Sequence, residues 1–139
     1  MPALARLPPA AVRRVLSGAL AFALAAGSTA AAWAAAAHYD KAGLDRALAA
    51  GVPVVVHVCA GWSPLCRTQK PIIAALLRGP KMQPVLLLNA DYDTDREARR
   101  VLHVPYQGTL IVFKDGREVA RSSGDVDRAA IAMLLNKAL

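Results

Sequence analysis

The stretch from residue 54 to residue 67 constrains the fold more than any other part of the chain. It begins as an apolar run of mostly β-branched residues, which predicts a buried strand, and an Ala-Gly pair then breaks the run. Ser63 is a favoured helix N-cap residue, and Pro64 follows at the first helical position, where its missing N–H costs nothing. The stretch therefore predicts a strand, a short turn and a helix. Cys66 falls in the first helical turn, where backbone N–H groups and the helix dipole favour a thiolate.

The rest of the chain alternates helical and strand patterns with short turns. The predicted elements are a helix capped by Asp40, a strand at 53–59, a helix from Ser63 to before Gly79, a strand at 84–89, a helix ending near Leu102, strands at 109–114 and 117–121, and a helix from about Asp125. Asp115-Gly116 is a hairpin signal. This order predicts an α/β fold with a mixed four-stranded sheet, βαβ-α-ββα, flanked by helices.

Two segments resemble the thioredoxin family. Trp62-Ser63-Pro64-Leu65-Cys66, with Pro71 five residues further on, resembles the active-site segment of thioredoxins, whose pattern is Trp-Cys-x-x-Cys followed by a proline. Residues 109–116 resemble the strand and turn that follow the family's cis-proline. The resemblance covers about residues 40–139 and implies a thioredoxin-like fold, with a protein thiol or disulfide as the partner.

The sequence departs from that family at the two most important positions. A degenerate Ser-x-x-Cys replaces Cys-x-x-Cys, because Ser63 stands where the attacking cysteine belongs and Cys66 matches the resolving cysteine. Gly108 stands at the cis-proline position. The resemblance therefore implies thiol–disulfide chemistry through the single cysteine Cys66, with weak or no dithiol reductase turnover, since a hydroxyl at position 63 cannot form a disulfide.

His57 completes the predicted catalytic set of Cys66, Ser63 and His57. By resemblance it occupies the position of a buried carboxylate that assists proton transfer, a role that suits a neutral imidazole. A half-buried histidine bonded to a carbonyl is the structural alternative.

The alternative function is a non-catalytic module that binds peptides or acts like a chaperone. In that interpretation the surface around Trp62, Tyr106 and Gly108 holds an extended peptide by strand-like pairing.

The two cysteines leave three alternatives open. A disulfide between Cys59 and Cys66 suits an even cysteine count in an oxidising compartment. It requires Cα atoms within about 7 Å, which the sequence does not decide for a strand end and a first helical turn. The thiols are otherwise free, or they hold a soft metal such as Cu(I) together with His57. Because the usual metal-binding spacings are missing, the sequence predicts no metal and no cofactor.

The first 34 residues predict a signal peptide. Arginines at 6, 13 and 14 precede an apolar run from residue 15 to residue 37, and Ala32-Trp33-Ala34 offers a small-x-small cleavage pattern. We expect cleavage near Ala34, a mature domain at 35–139 and a periplasmic or otherwise exported location. An uncleaved membrane anchor is the alternative, and it is the one case in which a membrane partner is expected.

The charge of the mature domain argues against nucleic acid as a partner. Removing three of the 17 basic residues with the leader leaves 14 against 10 acidic ones, a net charge of +4. Nucleic-acid binding calls for a basic stripe with interleaved aromatic residues, which the domain does not show.

Overall fold

A five-stranded mixed sheet with helices on both faces occupies residues 36–139, the part of the chain that the computed structural model describes. The strands are β1 (Ala37–His38), β2 (Val54–Cys59), β3 (Leu86–Asp91), β4 (Thr109–Lys114) and β5 (Arg117–Ser123). The helices are α1 (Lys41–Ala49), α2 (Pro64–Leu77), α3 (Arg96–Val101) and α4 (Arg128–Leu135), with short 3-10 turns at Pro80–Met82 and Asn136–Ala138.

The strand order is β1-β3-β2-β4-β5, so β2 lies at the centre. It runs parallel to β3 and antiparallel to β4, and β4 pairs with β5 through the hairpin at Asp115 and Gly116. Both turn residues have positive φ, 51° and 77°, as a two-residue hairpin turn requires. The predicted α/β class and the predicted hairpin are confirmed.

Strand β1 corrects the prediction of four strands. Its two residues, Ala37 and His38, pair in parallel with Leu88 and Asn89 of β3. Two residues are too short to show the alternation by which a strand is recognised in a sequence. The residues of β3 with which they pair, moreover, lie about fifty residues further along the chain, so no local pattern reveals the pairing.

The side chains of β2 alternate between two apolar layers. Val54, Val56 and Val58 pack in the layer that contains residues of α1 and α3. Val55 packs in the opposite layer with residues of α2 and α4. Because strand residues two apart share a face, His57 and Cys59 lie on the α2 side of the sheet.

Short polar side chains begin three of the helices. Asp40 and Ser63 cap α1 and α2 as the sequence predicts, accepting hydrogen bonds from the backbone N–H groups of Gly43 and Cys66. Asp127 caps α4, two residues later than predicted. The cap at Ser63 fixes where α2 begins and therefore where Cys66 lies.

No helix in residues 36–139 has both the length and the apolar character needed to cross a membrane. The predicted signal peptide at 1–34 lies outside the described residues.

Candidate functional site

A disulfide joins the end of β2 to the start of α2. Cys59 is the last residue of the strand, Cys66 lies in the first turn of the helix, and their Cα atoms are 5.7 Å apart. The chain reverses between them, because the N–H of Ser63 donates to the Ala60 carbonyl. The bridge that the sequence left open therefore forms, and the expectation of a single unpaired active-site cysteine is wrong.

Ser63 is buried beside this bridge rather than presented to a substrate. Its Oγ accepts from the N–H of Cys66 at 3.2 Å and donates to Oε1 of Gln107 at 2.6 Å. The same Oε1 lies 3.2 Å from Sγ of Cys66. A disulfide sulfur carries no hydrogen, so this is a contact in the oxidised protein that becomes a hydrogen bond once the thiol is restored.

His57 contacts the other sulfur. Its Nε2 lies 2.9 Å from Sγ of Cys59 and 3.0 Å from Oε1 of Gln69. Burial lowers the pKa of His57, and the hydrogen bond with Gln69 offsets that effect only in part. His57 is therefore a fully buried, neutral imidazole bonded to a side-chain carbonyl. It lies against Cys59 rather than against Cys66, with which the resemblance paired it.

Gln69, which was not predicted as a site residue, positions the histidine. Its Nε2 donates to the carbonyls of Gly108 at 3.1 Å and Asp125 at 2.8 Å, which leaves Oε1 facing His57. A usable signal was present, since Gln69 follows Cys66 by three residues and lies on the same buried face of α2. Gln107, which contacts both Ser63 and Cys66, had no comparable periodic signal because it lies in a loop.

Gly108 is required by its conformation and by its neighbours. Its φ is +75°, and an added Cβ would lie 2.5 Å from Cδ2 of Leu65. The described residues contain no cis peptide bond. Gly108 N–H donates to Val58, and its carbonyl accepts from Gln69 and Gly124. Its backbone groups are thus already bonded, which does not favour the strand-like peptide pairing expected there.

Trp62 and Tyr106 are the exposed members of the predicted site. Their exposed fractions are 62% and 68%. Nε1 of Trp62 donates to Oδ2 of Asp93 at 2.9 Å, which fixes the indole while leaving most of it in solvent. The structure therefore gathers His57, Cys59, Ser63 and Cys66 in a buried cluster and leaves the two aromatic residues at the surface.

A cavity of about 460 Å³ reaches the buried cluster from the side of β3. His57 and Cys59 line it together with Lys70, Asn89 and Asp91. A ring nitrogen of His57 and the two sulfurs lie within 4.8 Å of one another, and they form a group of potential metal ligands among the described residues. The arrangement suits thiol–disulfide chemistry when the sulfurs exchange, and soft-metal binding when they are reduced.

Comparisons with known proteins agree with the fold. The family model described as Thioredoxin matches residues 35–137. Thioredoxin of Chlamydia trachomatis is 32% identical over 84 residues, which cover 60% of this chain and 80% of the relative. Thioredoxin of Chlamydia pneumoniae is 33% identical over 93 residues, covering 67% of this chain and 88% of the relative.

Solved structures give the same result. The crystal structure of Trxlp from Edwardsiella tarda superposes with a TM-score of 0.71 at 32% identity and covers 73% of this chain and 98% of that one. The Fasciola hepatica thioredoxin superposes with a TM-score of 0.66 at 25% identity, with coverage of 76% and 100%.

Proposed function

The chain belongs to the thioredoxin family, and from that premise we propose that it exchanges disulfides with protein thiols through the Cys59–Cys66 pair. The observation that carries the proposal is the bridge itself, which lies at a helix N-terminus on one side and against an imidazole on the other. The pair takes up two electrons and two protons from a partner dithiol, which leaves as a disulfide.

The two sulfurs have different roles in this proposal. A partner thiolate attacks Sγ of Cys59, the S–S bond breaks, and Cys66 leaves as a thiolate. Cys66 is the better leaving group because it lies in the first turn of α2, where the helix dipole stabilises negative charge. Cys59 is also the more exposed, at 7% against 1% for Cys66. The second thiolate of the partner then attacks the partner sulfur of the mixed disulfide, so that the partner leaves as a disulfide and Cys59 leaves as a thiolate. When the chain instead reduces a partner disulfide, the Cys59 thiolate forms the mixed disulfide and the Cys66 thiolate breaks it.

His57 stabilises the Cys59 thiolate. Its Nε2 lies 2.9 Å from Sγ of Cys59 and carries the ring proton, because it also faces the acceptor Oε1 of Gln69, so it can donate a hydrogen bond to that sulfur when the Cys59 thiol ionises. His57 therefore acts on Cys59, whereas the resemblance assigned it to proton transfer at Cys66.

We expect slow disulfide exchange because the Cys59–Cys66 bridge is buried. Both sulfurs are almost inaccessible, so a partner must wait for the turn between β2 and α2 to open. Trp62 and Tyr106 supply the exposed surface on which an extended partner segment is held. We further propose that the exchange takes place in the periplasm or an equivalent exported space, as the leader predicts.

Insulin reduction by the full chain tests the proposal. The wild-type protein is expected to turn over slowly, and Ser63→Cys to react well above that rate, because positions 63 and 66 already share a contact with Gln107. Ser63→Ala is the matched control and gains nothing. Rapid reduction by the wild-type chain would contradict the low turnover expected from burial, and no gain from Ser63→Cys in a folded variant would contradict the placement of positions 63 and 66. Wild-type activity that persisted in Cys59→Ala/Cys66→Ala would contradict the proposed pair.

Single-cysteine variants test the assignment of roles. In Cys66→Ala the Cys59 thiol is expected to react with an aromatic disulfide reagent faster than the Cys66 thiol does in Cys59→Ala. The reverse order assigns the attacking role to Cys66.

A non-catalytic peptide-binding module is the second candidate, and the near-complete burial of both sulfurs favours it. It predicts that peptide binding, followed through the fluorescence of Trp62 with Trp62→Phe as the control, survives in the double variant Cys59→Ala/Cys66→Ala while wild-type insulin reduction is absent. The location is tested separately by the mass of the purified protein, since an intact N-terminus in a membrane fraction would indicate an anchor.

A further inference from the structure

The disulfide forms part of a group of three potential metal ligands. A ring nitrogen of His57 and the sulfurs of Cys59 and Cys66 lie within 4.8 Å of one another, and all three residues are buried. We propose that reduction of the bridge converts this group into a binding site for one Cu(I) ion, held by two thiolates and one imidazole. The site requires a reducible bridge but does not depend on which protein reduces it.

The geometry needs only side-chain movement. Metal–sulfur and metal–nitrogen bonds of about 2.3 Å and 2.0 Å place the ligands of a trigonal ion roughly 3.7 to 4.0 Å apart. His57 Nε2 and Cys59 Sγ are 2.9 Å apart at present, so they separate by about 1 Å, and the sulfurs separate by about 2 Å once their bond breaks. The Cα atoms of the cysteines, 5.7 Å apart, keep their places at the end of β2 and the start of α2.

The ligand set selects a soft ion of low coordination number. Thiolate and imidazole suit Cu(I), whereas a closed zinc site takes four nitrogen or sulfur ligands. The described neighbours of the group offer the amide oxygens of Gln69 and Gln107, and an amide oxygen is a weak ligand for either ion. Asp91 lines the same cavity, but its carboxylate already accepts from the N–H groups of Asp93 and Thr94.

Charge also fits a monovalent ion. Two thiolates and Cu(I) carry a net charge of −1, which the positive end of α2 stabilises at Cys66. Lys70 lines the cavity that His57 and Cys59 border and places a second positive charge nearby, with the carboxylate of Asp91 on the same wall.

The histidine is already held for coordination. Its Nε2 now faces Oε1 of Gln69, and metal binding moves the proton to the other ring nitrogen. Asn89 pairs with His57 across β2 and β3 and lines the same cavity, so its side-chain oxygen is placed to accept that proton. Gln69 and Asn89 are therefore positioning residues, and His57, Cys59 and Cys66 are the ligands.

Binding and oxidation exclude each other in a balanced cycle. A dithiol gives two electrons and two protons to the bridge and becomes a disulfide, and Cu(I) then displaces both thiol protons into solvent. A disulfide partner that withdraws two electrons re-forms the Cys59–Cys66 bond and releases the ion. The site is thus present in one redox state and absent in the other.

Competition for Cu(I) with a coloured chelator tests the site. The full chain is reduced, its thiols are counted, the reductant is removed without oxygen, and Cu(I) is titrated against bicinchoninate. We expect one ion per reduced chain and none on the disulfide form. His57→Leu is expected to weaken binding by more than the about 10- to 100-fold that an outer-shell partner costs. His103→Ala, an exposed histidine outside the group, leaves it unchanged.

X-ray absorption of the Cu(I)-loaded wild-type chain identifies the atoms bound to the ion without the use of any variant. Two sulfurs and one nitrogen are expected around the ion. Oxygen and nitrogen neighbours alone, equal uptake by the disulfide form, or equal uptake by Cys59→Ala/Cys66→Ala would overturn the proposal.

The thiol count separates this proposal from the proposed exchange function. If no thiols appear while the chain stays folded, the bridge is not reducible and both proposals fail. If two thiols appear and insulin is reduced but Cu(I) does not bind, the metal site alone is wrong. If Cu(I) binds and no exchange with insulin is seen, the exchange proposal alone is wrong.

Discussion

The two halves of strand β2 are equally buried but are stabilised in different ways. Residues 54–56 are three valines that pack in the apolar layers on both faces of the sheet. Residues 57–59 include His57 and Cys59, whose polar atoms are satisfied by Gln69 and by the bond to Cys66. Burial by itself therefore does not distinguish a core from a site. The identity of the partner atoms does, and changes in the first half should affect stability alone while changes in the second also affect redox behaviour.

The apolar half should show the largest loss of stability. Ile111 lies opposite Val56 on β4 and is fully buried, so Ile111→Ala should lower the free energy of unfolding by about 2–5 kcal/mol through lost burial and a residual cavity. Urea denaturation measures the change, with the more exposed Val119→Ala on β5 as the control. The reducibility of the disulfide in the folded state should stay unchanged, and a large change there would show that the two halves are coupled.

Opening the disulfide in the polar half should lower the free energy of unfolding by less. Reduction of Cys59–Cys66 releases a loop of about eight residues, which costs about 2.5 kcal/mol in the chain-entropy description. Unfolding with and without a reductant measures it. The double variant Cys59→Ala/Cys66→Ala should not respond to the reductant, and a response there would assign the effect to another part of the chain.

The buried imidazole should make stability depend on pH. Because burial lowers the pKa of His57 in the folded protein, the unfolded chain takes up a proton first as the pH falls below about 6.5. Stability is then full above that pH and falls below it by at most about 1.4 kcal/mol per pH unit, until the folded-state pKa is reached. Unfolding between about pH 7.5 and about pH 5.5 should show this slope in the wild type but not in His57→Gln. His103→Ala, which removes an exposed imidazole, should retain it, and a slope that vanished there would assign the titration to His103.

The smallest expected effect distinguishes a helix cap in the site from one outside it. Ser63→Ala and Asp127→Ala each remove a side-chain acceptor from the start of a helix and should each cost about 1 kcal/mol. Only Ser63→Ala should also lower the rate at which the disulfide is reduced, because Ser63 shares Gln107 with Cys66. Equal reduction rates in the two variants would mean that the cap at Ser63 has only a structural role.

Much of the fold could be predicted because its signals are local. The β-branched run of β2, the caps at Asp40 and Ser63 and the Asp115-Gly116 hairpin each depend on a few neighbouring residues. Strand β1 could not be predicted, because its two residues are ordered by pairing with β3 rather than by any pattern of their own.

The sequence singled out four residues of the buried cluster, His57, Cys59, Ser63 and Cys66, but neither Gln69 nor Gln107. The sequence determined that His57 and Cys59 share a strand face and that Cys66 lies in the first turn of a helix, since strand alternation and helix capping follow from residue order. Whether the two sulfurs meet depended on the turn that carries α2 back over the end of β2, and the contacts of Gln69 and Gln107 depended on segments distant in the chain. Those are distances between elements, which only packing decides. A shared face tells which atoms point the same way, whereas the tertiary structure places them within bonding distance.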